Sequence, residues 1–334
     1  MKNKKELTFI VPIKNRPKQL KRLLNNCKKV FYNKIKYNLI IIDASNSENQ
    51  KKNKEILKKN KNYKIIIQKN RGITIGCFKA IPHVKTHYCT FLYDDDELGK
   101  YLHLLFKDNL KDNDIFSMGT GTVQDINKKI KFKSIKPIIL TKEKALLNYF
   151  GTPLSKTNRE FKGMLSSPVS PISTCFKSKY LYSWKKHILK FVKNNKFRNY
   201  FLLEKDIGPD LIIYLHNILH SNSVVNFFTP HVVKFSSHPD SISIIYGVNN
   251  LRIGYWLARI SVLDDNFLKK TIDKNYLYTY VILVGYYLLF TNINNIFFFK
   301  NILDELVKLH ITKKLKFSFK YMFLILKIWY FNRK

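Results

Sequence analysis

The chain has 334 residues and a formal net charge of +37, from 60 basic and 23 acidic residues. This length suits one large domain or one domain with an extension, and no repeat with a period of roughly 20 to 50 residues is visible. Four widely spaced cysteines without a Cys-x-x-Cys pair argue against a disulfide framework or a zinc knuckle and are typical of reduced thiols in a core.

The positive charge comes mainly from lysine, because 52 of the 60 basic residues are Lys and only eight are Arg. The lysines are spread along the chain together with Asn, Ile, Phe and Tyr, as AT-rich coding would produce, whereas recognition of bases or phosphates favours clustered Arg. We therefore expect no specific nucleic acid partner. Such a polycation is still attracted to anionic membrane surfaces.

The N-terminus carries no pattern of a secretory signal. Three lysines within the first five residues are followed by a single apolar run, residues 7–13, which contains Pro12 and is followed by basic residues again. That run is too short and too interrupted for a signal peptide. We therefore expect the protein on the cytoplasmic side.

Apolar runs and helical patterns alternate at close intervals along the first hundred residues. The predicted strands cover residues 7–13, 37–42 and 64–68 and a fourth run from Thr90, and each of the first three is followed by a predicted helix. This alternation predicts parallel pairing with right-handed crossovers and helices on the faces of the sheet. In such sheets ligands bind beyond the carboxyl ends of the strands.

Three consecutive carboxylates, Asp94 to Asp96, follow the fourth strand in a chain that is poor in acid. Adjacent like charges repel one another, and a hard divalent cation is the usual compensation. A solvated acidic turn is the simpler alternative. Asp43 ends the second strand, so it is expected at the same edge of the sheet as the acidic cluster.

Four segments carry motifs in a fixed order along the chain. They are Phe-Ile-Val-Pro-Ile-Lys-Asn-Arg-Pro at 9–17, Ile-Ile-Ile-Asp at 40–43, Asn-Arg-Gly at 70–72 and Phe-Leu-Tyr-Asp-Asp-Asp at 91–96. Together they resemble the motifs of a family 2 glycosyltransferase of the GT-A fold, over residues 1–120. The resemblance implies an α/β fold with a Rossmann-like mixed sheet flanked by helices.

The resemblance also implies roles for individual residues. Pro12, Lys14 and Arg16 would lie under the nucleotide, and Asp43 would face the base or the ribose. The full set assigned to the nucleotide sugar is Pro12, Lys14, Arg16, Asp43, Arg71, Gly72, Asp94 and Asp95. Asp94 and Asp96 would be the Asp-x-Asp pair that holds Mg²⁺ or Mn²⁺ against the diphosphate, with Asp96 the favoured direct ligand. Ala44 and Tyr93 stand where family members often have acids.

An inverting transfer also needs a base that takes the proton from the acceptor hydroxyl. Family members supply it from an acidic pair at the start of a late helix, and the matching segment here is residues 203–210. Asp206, Asp210 and Glu204 compete for this role, and motif position favours Asp206. Asp210 is also the type of residue that simply caps a helix.

The segment between the two acidic motifs is expected to form the acceptor side. Residues 98–110 predict a helix, and residues 114–122 predict a strand that ends at Gly119–Gly121, where a tight turn is favoured over a substrate contact. The loop-rich residues 151–174 predict a lid over the donor. His238 could add a metal or diphosphate ligand, although an ordinary loop histidine is the simpler interpretation.

The C-terminal region is apolar but interrupted. Residues 276–299 contain no charged side chain, yet polar residues break the run, so a buried helix pair around Asn292–Asn295 is favoured over a bilayer span. Residues 312–334 hold seven Lys or Arg and no acid among many aromatics. Such a helix suits either a lipid interface or packing onto the catalytic domain.

The sequence therefore predicts a GT-A catalytic domain over residues 1–245, with a nucleotide-sugar half at 1–120 and an acceptor half at 121–245. A helical extension at 246–334, with membrane association as an option, would follow. The predicted activity is a metal-dependent, inverting transfer of a sugar from a nucleoside diphosphate sugar to a glycan or lipid-linked acceptor. Bacterial cell-surface polysaccharide or lipopolysaccharide synthesis is the expected setting, with peripheral attachment to the cytoplasmic face of the inner membrane.

Two other classes of function stay open from the sequence. A non-catalytic basic protein could bind a membrane surface or nucleic acid through the same charge. A sugar nucleotidyltransferase also uses strand-end aspartates and a metal, but it would normally carry a glycine-rich phosphate loop after the first strand. Residues 14–17, Lys-Asn-Arg-Pro, contain no glycine.

Overall fold

The computed structural model describes residues 7–58, 62–69, 72–111, 116–150, 171–220, 224–239, 241–313 and 318–331. Its strands are β1 (Leu7–Ile13), β2 (Tyr37–Asp43), β3 (Tyr63–Ile67), β4 (Tyr88–Phe91), β5 (Glu97–Leu98), β6 (Phe116–Asp125), β7 (Lys136–Thr141), β8 (Thr174–Lys177) and β9 (Val224–Ser237).

The helices alternate with the strands in the first half of the chain and follow one another in the second. They are α1 (Pro17–Phe31), α2 (Ser47–Lys58), α3 (Ile73–Ala80), α4 (Leu102–Lys111), α5 (Lys142–Tyr149), α6 (Tyr180–Val192), α7 (Lys196–Asn199), α8 (Pro209–His220), α9 (Ile242–Val262), α10 (Asn266–Thr271), α11 (Lys274–Thr291), α12 (Ile296–Lys313) and α13 (Phe319–Phe331). A π-helical turn, Tyr200–Glu204, links α7 to the segment before α8.

The first four strands along the sheet lie in the order β3, β2, β1, β4 and are parallel. The sheet continues through β8, β6, β9 and β5, and β7 pairs with β9. Ile13 pairs with Asp43 and Ile10 with Phe91, so the carboxyl ends of β1, β2 and β4 lie at one edge. This central, mostly parallel sheet flanked by helices confirms the predicted fold class.

Burial on both faces explains why β1 and β2 are apolar without alternation. Phe9 and Val11 pack into one core cluster, on the side of α1, while Ile10 and Ile42 pack into the other cluster. In α1 the buried residues recur at helical spacing, namely Leu20, Leu23, Leu24 and Cys27, and Pro17 occupies the first turn. The strand, turn and helix predicted for this segment are confirmed.

The prediction of a tight turn at Gly119–Gly121 was wrong. These residues lie inside β6, at a shift in its register with β9. A Cβ on Gly121 would lie only 2.1 Å from the Phe235 ring, so glycine allows the two strands to approach closely at this bulge. The helix predicted from residue 98 begins later, at Leu102, because Glu97–Leu98 pairs with β9 as β5.

The C-terminal helices confirm the predicted helix pair, with α11 and α12 joined by residues 292–295. The expected burial was wrong around the connection, where Asn292 is buried but residues 293–297 are exposed. Within the described part of the chain, every helix falls short of the length or the apolar character that crossing a bilayer demands. Trp256 on α9 donates from Nε1 to the Val281 carbonyl at 2.9 Å, and Arg198 pairs with the buried Glu305 at 2.6 Å. Helix α9 is interrupted by non-helical backbone at Gly247, with φ +70°, close to the boundary predicted between residues 245 and 246.

Candidate active site

A cleft of about 860 Å³ lies beyond the carboxyl ends of β1, β2 and β4. One wall comes from the residues that end these strands, among them Pro12, Ala44 and Asp94. Residues 204–210 and α9 form another part of the cleft wall. Parallel strands place their ligand crevice at this edge, so the position of the cleft follows from the topology.

Two aspartates of the acidic cluster are buried with little charge compensation. Asp94 and Asp96 are 5% and 6% exposed. Asp96 Oδ1 accepts the Ser236 amide at 3.1 Å, whereas Asp94 Oδ2 is buried without a hydrogen-bond partner among the described residues. Desolvation and then the charge of Asp95 raise the pKa of Asp94 to about 7, and the same causes raise the pKa of Asp96 well above its usual range.

The middle aspartate is paired with basic side chains. Asp95 Oδ2 lies 3.2 Å from Arg16 Nη1 and 2.8 Å from His238 Nε2. Arg16 Nη1 also lies 3.5 Å from Asp94 Oδ1. The structure therefore brings His238 to Asp95, about 140 residues away in sequence, a contact that the sequence did not predict. The role of His238 as a metal or diphosphate ligand stays a prediction.

The chemistry of Asp94 and Asp96 fits a hard divalent cation. Their oxygens are the ligand type that Mg²⁺ prefers, and one of them is buried without a partner in the described chain. The described residues contain no set of three or more acidic, histidine or cysteine side chains placed to hold a metal ion. Mg²⁺ typically takes one or two protein carboxylates and completes its shell with phosphate and water, so two carboxylates are enough.

Asp43 supports the cleft without lining it. The side chain is 1% exposed, its Oδ1 accepts the Ser45 amide at 2.9 Å, and its Oδ2 accepts Asn53 Nδ2 at 3.0 Å. Ser45 Oγ in turn accepts the Asn15 amide at 2.8 Å, which joins the turns after β1 and β2. The cleft surface at this point is Ala44. Contact between the Asp43 carboxylate and a base or ribose stays a prediction that this geometry does not favour.

The other residues assigned to the nucleotide sugar lie at the cleft, with one outside the described chain. Pro12, Lys14, Arg16 and Gly72 line it, while Arg71 is not among the described residues. Gly72 has φ +107° and precedes the first turn of α3. A Cβ there would lie 2.9 Å from the Leu203 carbonyl oxygen, so conformation and space both require glycine.

Asp206 caps a helix with both carboxylate oxygens. Oδ2 accepts the Ile73 amide and Oδ1 accepts the Thr74 amide, each at 2.7 Å, at the start of α3. Burial raises the pKa of Asp206, and the two amides act in the opposite direction. Since hydrogen bonds to the charged form weaken a carboxylate as a proton acceptor, this geometry indicates a structural role.

Asp210 is a strongly desolvated carboxylate at the cleft. It lies in the first turn of α8 and lines the cleft, and its Oδ2 accepts the Tyr255 hydroxyl at 3.2 Å. Its Oδ1 is buried without a partner in the described part of the chain. Desolvation raises the pKa of Asp210 to about 6, which suits proton uptake near neutral pH.

Glu204 lies at the rim of the cleft and is exposed, and its Oε1 accepts Asn199 Nδ2 at 2.8 Å. Its carboxylate is therefore in contact with solvent, unlike the buried carboxylate of Asp210. Of the three acids that the sequence left open, the geometry favours Asp210 over Asp206 and Glu204 as the base.

Aromatic residues of the second half of the chain also line the cleft. Tyr246 and Tyr255 from α9 and Trp184 from α6 line the cleft, and Trp184 Nε1 donates to the Pro209 carbonyl at 2.8 Å. Sequence reasoning missed them, because aromatics are abundant in this chain and these three belong to no spaced motif. The helical spacing of apolar residues around Trp184 in α6 was the only signal that the sequence offered.

The central sheet with its flanking helices has the GT-A fold. Residues 8–162 match the family model described as Glycosyl transferase family 2. The chain therefore carries a glycosyltransferase family 2 region, as its motifs predicted, and the protein is a glycosyltransferase.

Solved structures show the same fold. The chain is similar to TarS 1–349 of S. aureus in complex with UDP-GlcNAc, with 13% identity and a TM-score of 0.58, over 91% of this chain and 81% of that one. It is also similar to TarS 1–349 in complex with UDP, with 12% identity and a TM-score of 0.52, over 84% and 70% of the two chains. At these identities the likeness establishes the fold alone. A comparison with curated protein sequences gives no match.

Proposed function

We propose that the protein is a divalent-metal-dependent, inverting glycosyltransferase that moves a sugar from a nucleoside diphosphate sugar to an acceptor hydroxyl. One observation carries the proposal. A single cleft is lined by the incompletely compensated carboxylates of Asp94 and Asp96 at the strand ends and by Asp210 in the first turn of α8, with one buried Asp210 oxygen that no described residue contacts by a hydrogen bond. The reaction needs both a metal-held diphosphate and a base for the acceptor, and one cleft lined by both sets of acids fits that need.

The donor side is the wall made by the strand ends. Lys14, Lys69 and Gly72 line it, and two lysines suit the negative charge of a diphosphate. The TarS structure that shares this fold is a complex with UDP-GlcNAc, which supports a nucleotide sugar as the ligand class.

Asp94 and Asp96 would hold the metal, Mg²⁺ or Mn²⁺. When bound, such an ion neutralises the negative charge that builds on the departing diphosphate. Arg16 and His238 pair with Asp95, so the carboxylates on either side of it in the sequence are the ones available as metal ligands. Arg16 also reaches Asp94, which keeps the ligand pair adjacent to a fixed positive charge.

Asp210 would act on the acceptor. Its Oδ1 takes the proton of the acceptor hydroxyl while that oxygen forms a bond to the anomeric carbon and the bond from this carbon to the phosphate oxygen breaks. Attack from the face opposite the leaving group inverts the configuration. The Tyr255 hydroxyl donates to Oδ2 and so holds the carboxylate in place during the transfer.

The proposal extends to organisation and setting. Residues 1–245 form the catalytic domain, with a nucleotide-sugar half at 1–120 and an acceptor half at 121–245, and residues 246–334 form a helical extension that also supplies part of the α9 wall. The acceptor is a glycan or a lipid-linked glycan in bacterial cell-surface polysaccharide or lipopolysaccharide synthesis. The enzyme works at the cytoplasmic face of the inner membrane, peripherally attached.

A panel of nucleotide sugars tests the proposal, with thermal stabilisation by ligand and Mn²⁺-dependent donor hydrolysis as the two measurements. We expect one donor to raise the melting temperature only when Mn²⁺ is present. The double variant Asp94→Asn, Asp96→Asn should lose this stabilisation and at least about 100-fold in hydrolysis, because the charge on the diphosphate is no longer neutralised. Undiminished hydrolysis by the double variant would refute the metal-dependent mechanism.

A further inference from the structure

Large apolar side chains lie exposed along the outer side of α11 and α12. Among them Phe290 is 76% exposed, Ile296 82% and Ile311 71%. We define the apolar face as Tyr286, Phe290, Ile293, Ile296, Phe297, Leu303, Val307 and Ile311. An exposed patch of this kind is unusual for a chain that stays free in water and commonly marks a binding surface.

The apolar face is one surface of an ordered helix pair. Leu303, Val307 and Ile311 recur every fourth residue and form one stripe of α12, while Ile302 and Leu306 on its other side are buried in the core. The Tyr286 hydroxyl on α11 lies 3.5 Å from His310 Nε2, next to Ile311 on α12. The exposed sides of the two helices are therefore neighbours.

Positive charge accompanies the apolar face. Lys300 and Lys308 are exposed on α12 beside the stripe, together with one exposed acid, Asp304. The other acid of α12, Glu305, is buried against Arg198 and adds no surface charge. The sequence after α12 is basic, with six Lys or Arg and no acid in residues 314–334. Apolar and aromatic side chains flanked by lysines suit the boundary between acyl chains and anionic headgroups.

Helix α11, which carries part of the apolar face, also contacts α9, which lines the cleft. Arg252 on α9 donates from Nη1 to the Tyr287 hydroxyl at 2.8 Å, and Tyr287 is next to Tyr286 in the sequence of α11. Leu251, the residue before Arg252, lines the cleft, and Val248, one helical turn earlier, is 60% exposed. The helix pair that bears the apolar face is therefore connected to α9 by a direct contact.

We propose that the apolar face lies on an anionic lipid surface and holds the α9 wall of the cleft beside that surface. This lipid contact would be the means of the peripheral attachment in the proposed function. A lipid-linked acceptor would then be presented to the cleft from the bilayer by its lipid anchor, a consequence that rests on that function. Charge complementarity selects this occupant, because a second copy of the chain would bring its own lysines against these lysines.

Sedimentation with vesicles tests the lipid contact. The full-length protein should bind vesicles of phosphatidylcholine mixed with phosphatidylglycerol and should bind pure phosphatidylcholine at least about tenfold more weakly. Phe290→Glu and Ile311→Glu should each weaken binding to the mixed vesicles by about tenfold or more, since each removes apolar contact and adds a repelled charge. The matched control is Ile139→Glu on β7, which changes an equally exposed residue, 69%, away from the apolar face and should bind as the wild type does.

Three results would overturn the proposal. Both face variants could bind like the wild type, or the control could lose as much binding as they do. Sedimentation equilibrium without vesicles could instead show a dimer that Phe290→Glu converts to a monomer, which would identify a second copy as the occupant.

The donor assay separates this inference from the proposed function. Face variants should keep metal-dependent hydrolysis of the nucleotide sugar in solution, since they touch no cleft residue. Asp210→Asn should bind vesicles normally. If no nucleotide sugar is turned over while vesicle binding depends on the apolar face, the proposed function fails and the lipid contact stands.

Discussion

Desolvation raises the pKa of Asp210, and hydrogen bonds from the Leu211 backbone amide and the Tyr255 hydroxyl act in the opposite direction. The pKa is raised to about 6, because these hydrogen bonds, which stabilise the charged form, offset only part of the desolvation. A base is active only when deprotonated. We therefore expect kcat/KM for transfer to rise with pH through a midpoint near 6 and then to level off.

Tyr255→Phe provides the matched variant for this pH profile. Removing the hydroxyl removes a hydrogen bond to the carboxylate, so the midpoint should move to higher pH while donor binding stays unchanged. The measurement is kcat/KM at saturating metal from about pH 5 to pH 9. A profile that is flat in the wild type, or a midpoint that moves down in Tyr255→Phe, would remove Asp210 from the role of base.

The burial of Asp210 also predicts that the free energy of unfolding falls as pH rises, whereas activity rises with pH. The pKa of Asp210 is higher in the folded protein than in the unfolded chain, so the folded state binds the proton more tightly and stability is lost as pH rises from about 4 through about 6. Asp210→Asn carries no such charge. Unfolding in urea should show it more stable than the wild type by up to about 3 kcal/mol at pH 7.5, and nearly equal at pH 4. Equal stability at both pH values would contradict the burial argument.

Asp206 should affect stability more than catalysis. Its two hydrogen bonds to the amides of Ile73 and Thr74 cap α3, and its φ of +56° lies in the left-handed region. Asp206→Ala should cost about 2 to 4 kcal/mol in unfolding free energy, from the lost cap and the strained backbone. Asp206→Asn tolerates the backbone and should cost less, with turnover per folded molecule far above that of Asp210→Asn. The reverse order of turnover would restore Asp206 as the base.

At the scale of elements, the sequence was sufficient for the strand and helix units that carry the donor side. Residues 7–13 and 37–42 are apolar on both faces because they are covered on both faces, and the helical spacing in α1 is equally direct. The error at Gly119–Gly121 has a physical cause. Glycine serves a tight turn and a close approach of two strands alike, and only the partner strand, here at Phe235, distinguishes them.

The choice among the three acids before and within α8 could not be made from sequence. Residues 204–210 contain Glu204, Asp206 and Asp210 within one short segment, and each fits the spacing of the motif. The decision depends on α3, whose amides occupy Asp206, and on α9, whose Tyr255 contacts Asp210. Both contacts join residues far apart in the chain. The predicted lid at residues 151–174 lies largely outside the described residues, since only 171–174 are described.

At the scale of the whole molecule, the helical extension and the catalytic domain share one core. A Cβ on Gly254 of α9 would lie 2.8 Å from the Ile207 carbonyl oxygen, and Arg259 Nε donates to the Tyr149 carbonyl at 2.6 Å. The Tyr276 hydroxyl of α11 donates to the Phe150 carbonyl at 2.8 Å. The extension therefore completes the cleft wall and buries residues of the catalytic domain.

Truncation tests this dependence. A chain that ends at residue 245 should lose cooperative unfolding, because it exposes the apolar surface around Ile207 and Phe150 and lacks Tyr255. A chain that ends at residue 313 lacks only the last segment, which includes α13, so it should unfold cooperatively and keep donor hydrolysis. Heat unfolding monitored by circular dichroism distinguishes the two. Cooperative unfolding of the shorter chain would establish the 1–245 segment as an autonomous domain.

The buried position of Asp43 affects how a loss of turnover in its variants should be interpreted. Its carboxylate holds the turn after β2 through the Ser45 amide, Ser45 Oγ accepts the Asn15 amide of the turn after β1, and Asn53 of α2 binds the other carboxylate oxygen. A replacement would therefore loosen the backbone at the base of the proposed nucleotide site and abolish turnover without changing which nucleotide is preferred. Such a variant would be misinterpreted as evidence about donor choice unless its melting behaviour were measured beside its rate.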